Sequence, residues 1–254
     1  MPQSRFRVTD RLESESPRHG LARVLSKLGV CSRSRAEQAV RAGRVAVDGR
    51  IVCDPEYPTR IGRQRVALDG VVVEQVSKVY VALNKPRGIV VSADDERGRA
   101  TVYDLLQDAG LPWLGPVGRL DRASEGLLLL SNDSAWAAGL TEPRRHVEKV
   151  YHVQVDGVLD AARLQGLVDG IVDRGERLSA RSASLLRHGE KNAWLEIVLD
   201  EGRNRHIRRL LAAYSVSVLR LVRVGIGPLA LGDLPKGQWR HLDVAEVVAL
   251  SPCR

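Results

Sequence analysis

Residues 116–133, Pro-Val-Gly-Arg-Leu-Asp-Arg-Ala-Ser-Glu-Gly-Leu-Leu-Leu-Leu-Ser-Asn-Asp, constrain the fold of this 254-residue chain more than any other stretch. A charged, Gly-framed loop carries Asp121 between Arg119 and Arg122, then runs directly into the apolar strand Leu127–Leu130. A strand this apolar belongs in a core, and a buried strand fixes the position of a loop acid at its mouth. A nearby guanidinium keeps such a carboxylate ionised and oriented through charge-assisted hydrogen bonds. Spacing alone leaves two readings open: a reactive acid, or a surface Arg-Asp-Arg cluster on a strand connection, which is the commoner arrangement.

The length allows one large domain or a large and a small one. With 44% hydrophobic residues but a single Phe, the core is aliphatic. No apolar run approaches the roughly 18 residues of a membrane span, and no signal-peptide pattern opens the chain. Cys31, Cys53 and Cys253 are odd in number and lack metal-site spacing, which reads as incidental thiols in a reducing cytosol. The net charge of +8, carried mostly by Arg, suits a polyanionic partner, because guanidinium forks match phosphate oxygens and stack on bases. There is no Gly-rich dinucleotide loop, no phosphate loop and no Cys/His metal set, so neither cofactor nor metal is expected. His152, His188 and His241 are scattered and read as structural or surface residues.

Residues 1–18 show no periodicity and read as a mobile tail. Leu21, Val24, Leu25 and Leu28 form a helical stripe closed by Gly29. Ser34 and Glu37 suggest a capping box for a second helix through Arg41, ended by Gly43. Two hairpins follow, Arg44–Val52 and Arg65–Val73, each around Asp-Gly. A boundary near Ser77 separates this small domain (19–76) from a larger one (77–254). There, a strand Val79–Leu83 is broken by Asn84-Lys-Pro-Arg-Gly88 and resumes over Ile89–Ser92, with Lys85 a surface turn lysine by default. Residues 93–99 read as a mobile loop, and Thr101 as the cap of a short helix Val102–Gln107. Helices are expected from Asp133 or Ser134 to Leu140, over Ala161–Val168, within the Asp200–Leu211 stretch and from Val244. Strands are expected over Glu148–Val155, 180–187, 193–199 and Val218–Val224, giving an α+β fold class. Gly225-Ile-Gly-Pro and Leu234–Arg240 read as turns.

Gly118-Arg-Leu-Asp121, followed by Ser124, Gly126 and the leucine run, resembles the active-site motif of bacterial pseudouridine synthases, more narrowly the RsuA-like branch that modifies ribosomal RNA. Asn84-Lys-Pro-x-Gly88, Lys149-x-Tyr151 and Gly202-Arg-Asn-Arg-His-Ile-Arg208 resemble three further motifs of that family, in the same order. The Leu25–Glu37 and Gly43–Gly49 stretches resemble an S4-like RNA-binding domain. The resemblance spans roughly residues 20–245. It implies a catalytic domain on a mixed, largely antiparallel sheet, with Asp121 as nucleophile and Tyr151 beside the reacting base. It also implies that Arg208 ion-pairs with Asp121; His206 stands where the wider family usually has Gln.

On the same resemblance, Arg23, Lys27, Arg33, Arg35, Arg41, Arg44 and Arg50 of the small domain contact RNA. Arg203, Arg205 and Arg209 suit phosphates, and Arg119 suits the RNA backbone or the place of a displaced nucleotide. The implied reaction isomerises a uridine of ribosomal RNA, large-subunit RNA favoured, without a small-molecule cofactor. Ribosomal RNA or a pre-ribosomal particle would be the partner, with no membrane contact, and monomer is the default. The rival is a non-catalytic RNA-binding or ribosome-assembly protein on the same fold. A carboxylate glycosidase would need a second acid at a defined distance; Glu125 is nearest, and nothing in the sequence marks it.

Overall fold

A computed structural model describes residues 17–93 and 95–251. The chain divides between Val76 and Ser77 into two compact units. The tail expected over residues 1–18 falls outside the described residues up to residue 16.

The first unit runs β1 (His19–Gly20), α1 (Leu21–Lys27), α2 (Arg33–Arg41), β2 (Val45–Val47), β3 (Arg50–Ile51), β4 (Pro58–Thr59), β5 (Val66–Leu68) and β6 (Val71–Val72). Both hairpins turn on Asp-Gly pairs with positive φ, at Asp48-Gly49 and Asp69-Gly70, as two-residue turns between twisted strands require. Pairing of β2 with β5 joins them into one sheet, ordered β3-β2-β5-β6. Leu21, Val24 and Leu25 pack with Ala36, Val40, Val45, Val47 and Val66 as its core. The second helix is capped by Ser32, whose hydroxyl accepts from the Arg35 N–H, and not by Ser34. Glu37 is therefore free of a capping box and instead meets Arg33 at 3.2 Å.

The second unit contains β7 (Tyr80–Lys85), β8 (Gly115–Val117), β9 (Glu125–Ser131), α3 (Ser134–Thr141), β10 (Lys149–Asp156), α4 (Ala161–Asp169), β11 (Ile171–Asp173), β12 (Glu176–Leu178), β13 (Ser182–His188), β14 (Asn192–Leu199), α5 (His206–Ala212), β15 (Val218–Ile226), β16 (Leu229–Ala230), β17 (Trp239–His241) and α6 (Val244–Leu250). Its main sheet is ordered β13-β14-β10-β15-β9-β7-β17, with β16 on β15 and β8 on β9. Only the β9–β15 pairing is parallel, so the sheet is mixed and largely antiparallel. The leucine run lies at its centre and is buried on both faces. Leu127 and Leu129 pack with Trp136, Leu140 and Leu250, whereas Leu128 and Leu130 pack with Val102 and Leu114.

Gly126 is demanded where β9 crosses β15. Its φ is +100°, and a Cβ there would collide with the Arg223 carbonyl oxygen and lie 2.8 Å from the Arg223 nitrogen. Beside it, Glu125 is almost fully buried and receives Arg220 at 2.7 and 3.0 Å and Lys236 at 2.6 Å. Burial alone would raise its pKa, but the hydrogen bonds from Arg220 and Lys236 prevail and hold it below the usual range. Glu125 is thus a structural ion-pair centre.

Several expectations are corrected. Val102–Gln107 forms turns rather than a helix. Six residues are too few to offset helix nucleation, and Tyr103 is anchored elsewhere, stacked on Trp113 and donating to the Leu114 carbonyl at 2.9 Å. Ile89–Ser92 contributes only an isolated bridge between Val90 and Thr101. Within 93–99, Arg99 closes back onto Asp95 through three side-chain hydrogen bonds and its backbone N–H, so residues 95–99 form a closed turn. The first strand extends through Lys85, which is fully buried and not on a surface turn. The short strands β8, β11, β12, β16 and β17 carry two or three residues each, too few for a periodic signal.

Candidate active site

The loop between β8 and β9 opens into a cleft of about 380 Å³, lined among others by Arg119, Asp121, Lys149, Tyr151, Arg205 and Arg208. Its backbone is held from beneath by the end of β7. The Lys85 ammonium donates to the carbonyls of Asp121 (3.2 Å), Ser124 (2.8 Å) and Pro86 (3.1 Å). The Gly88 N–H, in a turn with φ of +99°, donates to the Arg122 carbonyl at 2.8 Å. The Ser124 N–H closes the loop onto the Asp121 carbonyl at 2.9 Å. Four polar backbone groups of the loop, the carbonyls of Asp121, Arg122 and Ser124 and the Ser124 N–H, are thereby satisfied, while the Asp121 carboxylate makes no hydrogen bond among the described residues. Burial pulls the Lys85 ammonium down to about 8, against support from Glu125 and Asp121.

Asp121 has its side chain about 40% exposed, so it is not the buried acid a desolvated pocket would impose. The cation closest to it is Arg205, at 4.0 Å. Arg208 comes to the same cleft but makes no direct ion pair with Asp121. It donates to the carbonyls of Val218 (3.3 Å) and Ala123 (3.4 Å), and its buried Nε has no partner. Burial lowers its pKa, Arg205 lowers it further, and Asp121 opposes both. The direct Arg208–Asp121 pair implied by the motif is thus replaced by a longer-range attraction, because the guanidinium is taken up by backbone carbonyls.

Tyr151 sits on β10, half-buried and packed against both flanking cores. Arg119 is exposed on the cleft rim. Arg203 is held by Glu201 (3.1 Å) and Glu176 (3.5 Å). The Arg209 guanidinium, expected to suit phosphates, is instead paired with Asp173 (2.5 Å) and Glu176 (2.6 Å) of the β11–β12 hairpin. His206 is buried, with neither ring nitrogen hydrogen-bonded and Nδ1 3.8 Å from Glu201. Its pKa is lowered, chiefly by burial, so the ring is neutral.

Two residues that line the cleft, Arg223 and Lys149, and one bonded to the backbone of its loop, Lys85, escaped the sequence reading of function. Lys85 lies where a Lys-Pro turn suggested solvent. Arg223 is buried, donates from Nε to the Leu127 carbonyl at 2.7 Å and leaves one Nη unpartnered. Lys149 has its pKa lowered by burial and then by Arg223. For Arg223 a signal existed: the alternation Leu221, Arg223, Gly225 puts it on the inward face of its strand.

In the first unit, Arg33 pairs with Glu37 and Glu56, and Arg44 with Asp69. Lys27 hydrogen-bonds His19 at 2.8 Å. Arg23, Arg41 and Arg50 are exposed and make no ion pair among the described residues, and Arg35 is exposed on the same helix as Arg41.

A cleft lined by the Asp121 loop on a mixed sheet, in a chain that also carries a basic helix–helix–hairpin unit, defines a two-part class of protein, and the comparisons identify the family. The family model of RNA pseudouridylate synthase matches residues 79–213, and that of the S4 domain matches residues 20–64. An uncharacterized RNA pseudouridine synthase of Aquifex aeolicus is 36% identical over 230 residues, covering 90% of this chain and 92% of that one. The ribosomal large subunit pseudouridine synthase B of Escherichia coli is 37% identical over 234 residues, covering 89% and 80%. That of Bacillus subtilis is 34% identical over 233 residues, covering 91% and 94%. A crystal structure of pseudouridylate synthase superposes with a TM-score of 0.63 at 30% identity, covering 92% of this chain and all of the other. The chain therefore belongs to the RNA pseudouridine synthase family, with an S4 domain at its N-terminal end.

Proposed function

We propose that this enzyme isomerises a uridine to pseudouridine in large-subunit ribosomal RNA, with Asp121 as the attacking carboxylate. The observation that carries the assignment is the loop around Asp121: its backbone is clamped by Lys85 and Gly88 while its carboxylate stays accessible in the cleft. A nucleophile must be fixed in place yet free to attack. The two named relatives from Escherichia coli and Bacillus subtilis support the choice of large-subunit RNA.

In the reaction the bond between uracil N1 and the sugar breaks, the base turns, and C5 joins the sugar carbon. The C5 proton leaves to solvent and N1 gains one, so the isomerisation balances without redox change. Asp121 attacks the electron-poor centre, with the guanidinium of Arg205 the cation nearest its carboxylate. Tyr151 stacks on the uracil and its hydroxyl lies within reach of a moving proton. The target uridine leaves its stack at a cost of a few kcal/mol, offset by phosphate contacts from Arg119, Arg203 and Arg205 and from the S4 unit's Arg23, Lys27, Arg35 and Arg41. The enzyme works in the cytoplasm as a monomer on ribosomal RNA or a pre-ribosomal particle, and needs no small-molecule cofactor.

Asp121→Asn tests this reading. The mutant keeps the side-chain shape but loses the charge and the nucleophilic oxygen. Tritium release from C5-labelled uridine in ribosomal RNA falls to background, while filter binding at matched salt stays near wild type, because ground-state affinity comes from phosphates elsewhere. Turnover by the Asn variant removes Asp121 from the mechanism. No turnover by the wild type on any ribosomal RNA gives the case to an RNA-binding protein without catalysis.

A further inference from the structure

Where β13, β14, β10 and the start of β15 lie side by side, the sheet face that turns away from the core of α4 and α5 is partly exposed. On β10, β14 and β15 the inward residues Val153, Val155, Leu195 and Leu221 are buried in that core. Their neighbours Gln154, Trp194 and Arg220 point the other way and are all partly exposed. The register aligns four side chains in one row across four strands: Arg187 opposite Trp194, Trp194 opposite Gln154, and Gln154 opposite Arg220. The guanidinium of Arg187 lies 5.4 Å from the Trp194 ring centre and that of Arg220 5.8 Å, so the indole is contacted by cations from both sides of the row.

This is an unfavourable arrangement for an empty surface. Two guanidinium groups gathered at one ring repel each other, and an exposed cation–π contact returns only about 0.5–1 kcal/mol. Arg220 is compensated by Glu125. Arg187 is exposed and makes no ion pair among the described residues. The remaining charge of the row is positive, and a polyanion would neutralise it. A partly exposed aromatic on an open stretch of sheet, flanked by arginines and an amide, offers what a single-stranded nucleic acid binds: a stacking plane for a base and a cation for an adjoining phosphate. An acidic peptide would use the cations but leave the indole without a partner.

We infer that the row Arg187–Trp194–Gln154–Arg220 is a docking surface for a single-stranded RNA segment, on the sheet face opposite the one that carries Tyr151. It rests on the proposed RNA substrate and extends it to a segment outside the cleft. One base stacks on Trp194 and a flanking phosphate meets Arg187.

The test uses the full chain and oligouridylate as probe. Titration quenches the intrinsic tryptophan fluorescence of the wild type, and Trp194→Phe, which keeps an aromatic ring on the strand, removes that quench. Trp194→Ala weakens binding between about fivefold and a hundredfold, and Arg187→Ala flattens the slope of log affinity against log salt by about 0.7. On ribosomal RNA both alanine variants raise KM and leave kcat unchanged. A quench that survives in Trp194→Phe, or unchanged affinity and salt slope in both alanine variants, overturns the surface. Failure of the synthase reading is distinguishable: the wild type then makes no pseudouridine, and the oligouridylate titrations decide the surface by themselves.

Discussion

The two basic regions of this protein look alike as sequence and differ as structure. In the S4 unit, Arg23, Arg41 and Arg50 stand exposed without a carboxylate. In the catalytic unit the cations around the cleft have partners, unlike Arg187 on the open sheet face: Arg209 bridges Asp173 and Glu176, Arg208 meets two carbonyls, and Lys85 meets three. Buried or half-buried cations must be compensated, so they become struts that shape the cleft. Exposed ones lose little by staying hydrated and remain available to a polyanion. A run of Arg therefore states the charge of a region but not its use; burial decides that.

The largest effect expected from this contrast is at Lys85. Lys85→Met removes the donor to three carbonyls, of which that of Asp121 keeps the Ser124 N–H. The fold loses about 1–3 kcal/mol in urea unfolding, and turnover falls at least about tenfold because the Asp121 loop is no longer held. The ammonium also predicts a pH effect whose two parts have opposite signs. Its folded pKa of about 8 lies below the ordinary lysine value. Between that value and roughly 10.4 the unfolded chain binds more protons, so this group adds stability as pH rises. The neutral amine has fewer donors, however, and the loop loosens. Activity therefore drops as pH rises through about 8 while Tm does not fall on this account. A Tm that falls in step with activity in the wild type but not in Lys85→Met would refute the assignment.

Arg209 and Arg205, four residues apart, separate strut from contact. Arg209→Ala leaves Asp173 and Glu176 unpaired and frees the β11–β12 hairpin from α5, so Tm falls while RNA affinity stays near wild type. Arg205→Ala keeps Tm and lowers kcat/KM, since Arg205 is the cation nearest Asp121. The reverse pattern would exchange their roles. Thermal melts and steady-state kinetics on the same preparations decide it.

What the sequence made legible follows from where the physics is local. The Asp-Gly hairpins, the α1 stripe, the leucine strand and the helices capped by Asp133 and Asp243 are set by neighbours within a few residues, and all are present. The acidic loop at the mouth of the leucine strand was legible for the same reason. Side-chain use was less so. Lys85, Arg208, Arg209 and Glu125 each have a partner 33–95 positions away, and no local pattern encodes such a distance. Ser34 was mistaken for a cap because Ser32, two residues earlier, has the same chemistry. The bulk of the α+β fold was thus readable, whereas the division of the arginines between struts and contacts was not.

A smaller effect is expected at Glu125, the carboxylate counterpart of these struts. Its folded pKa is depressed, so its contribution is present above the unfolded value near 4.3 and is lost as pH falls through the lower, folded value. Glu125→Gln costs about 1–2 kcal/mol at neutral pH, less than a fully buried pair because Arg220 and Lys236 are partly exposed. The gap between wild type and variant should close in acid. A gap that is constant from pH 7 to pH 3 would mean that the lost contribution is packing and not charge.

The smallest effect on the fold, and the sharpest test of the contrast, is the double variant Arg23→Ala and Arg41→Ala. Neither side chain makes an ion pair in the folded unit, so stability changes by no more than about 0.5 kcal/mol. If both contact phosphates, each released counterion is worth about 0.7 in the slope of log affinity against log salt for a single strand. The pair together should flatten that slope by about 1.4. The same substitution count in the catalytic unit's struts would move Tm and leave the slope alone. RNA titrations at several salt concentrations, with melts on the same samples, measure both quantities. If the double variant loses stability but keeps the wild-type slope, Arg23 and Arg41 are struts as well, and exposure in the folded unit is no guide to which cations meet RNA.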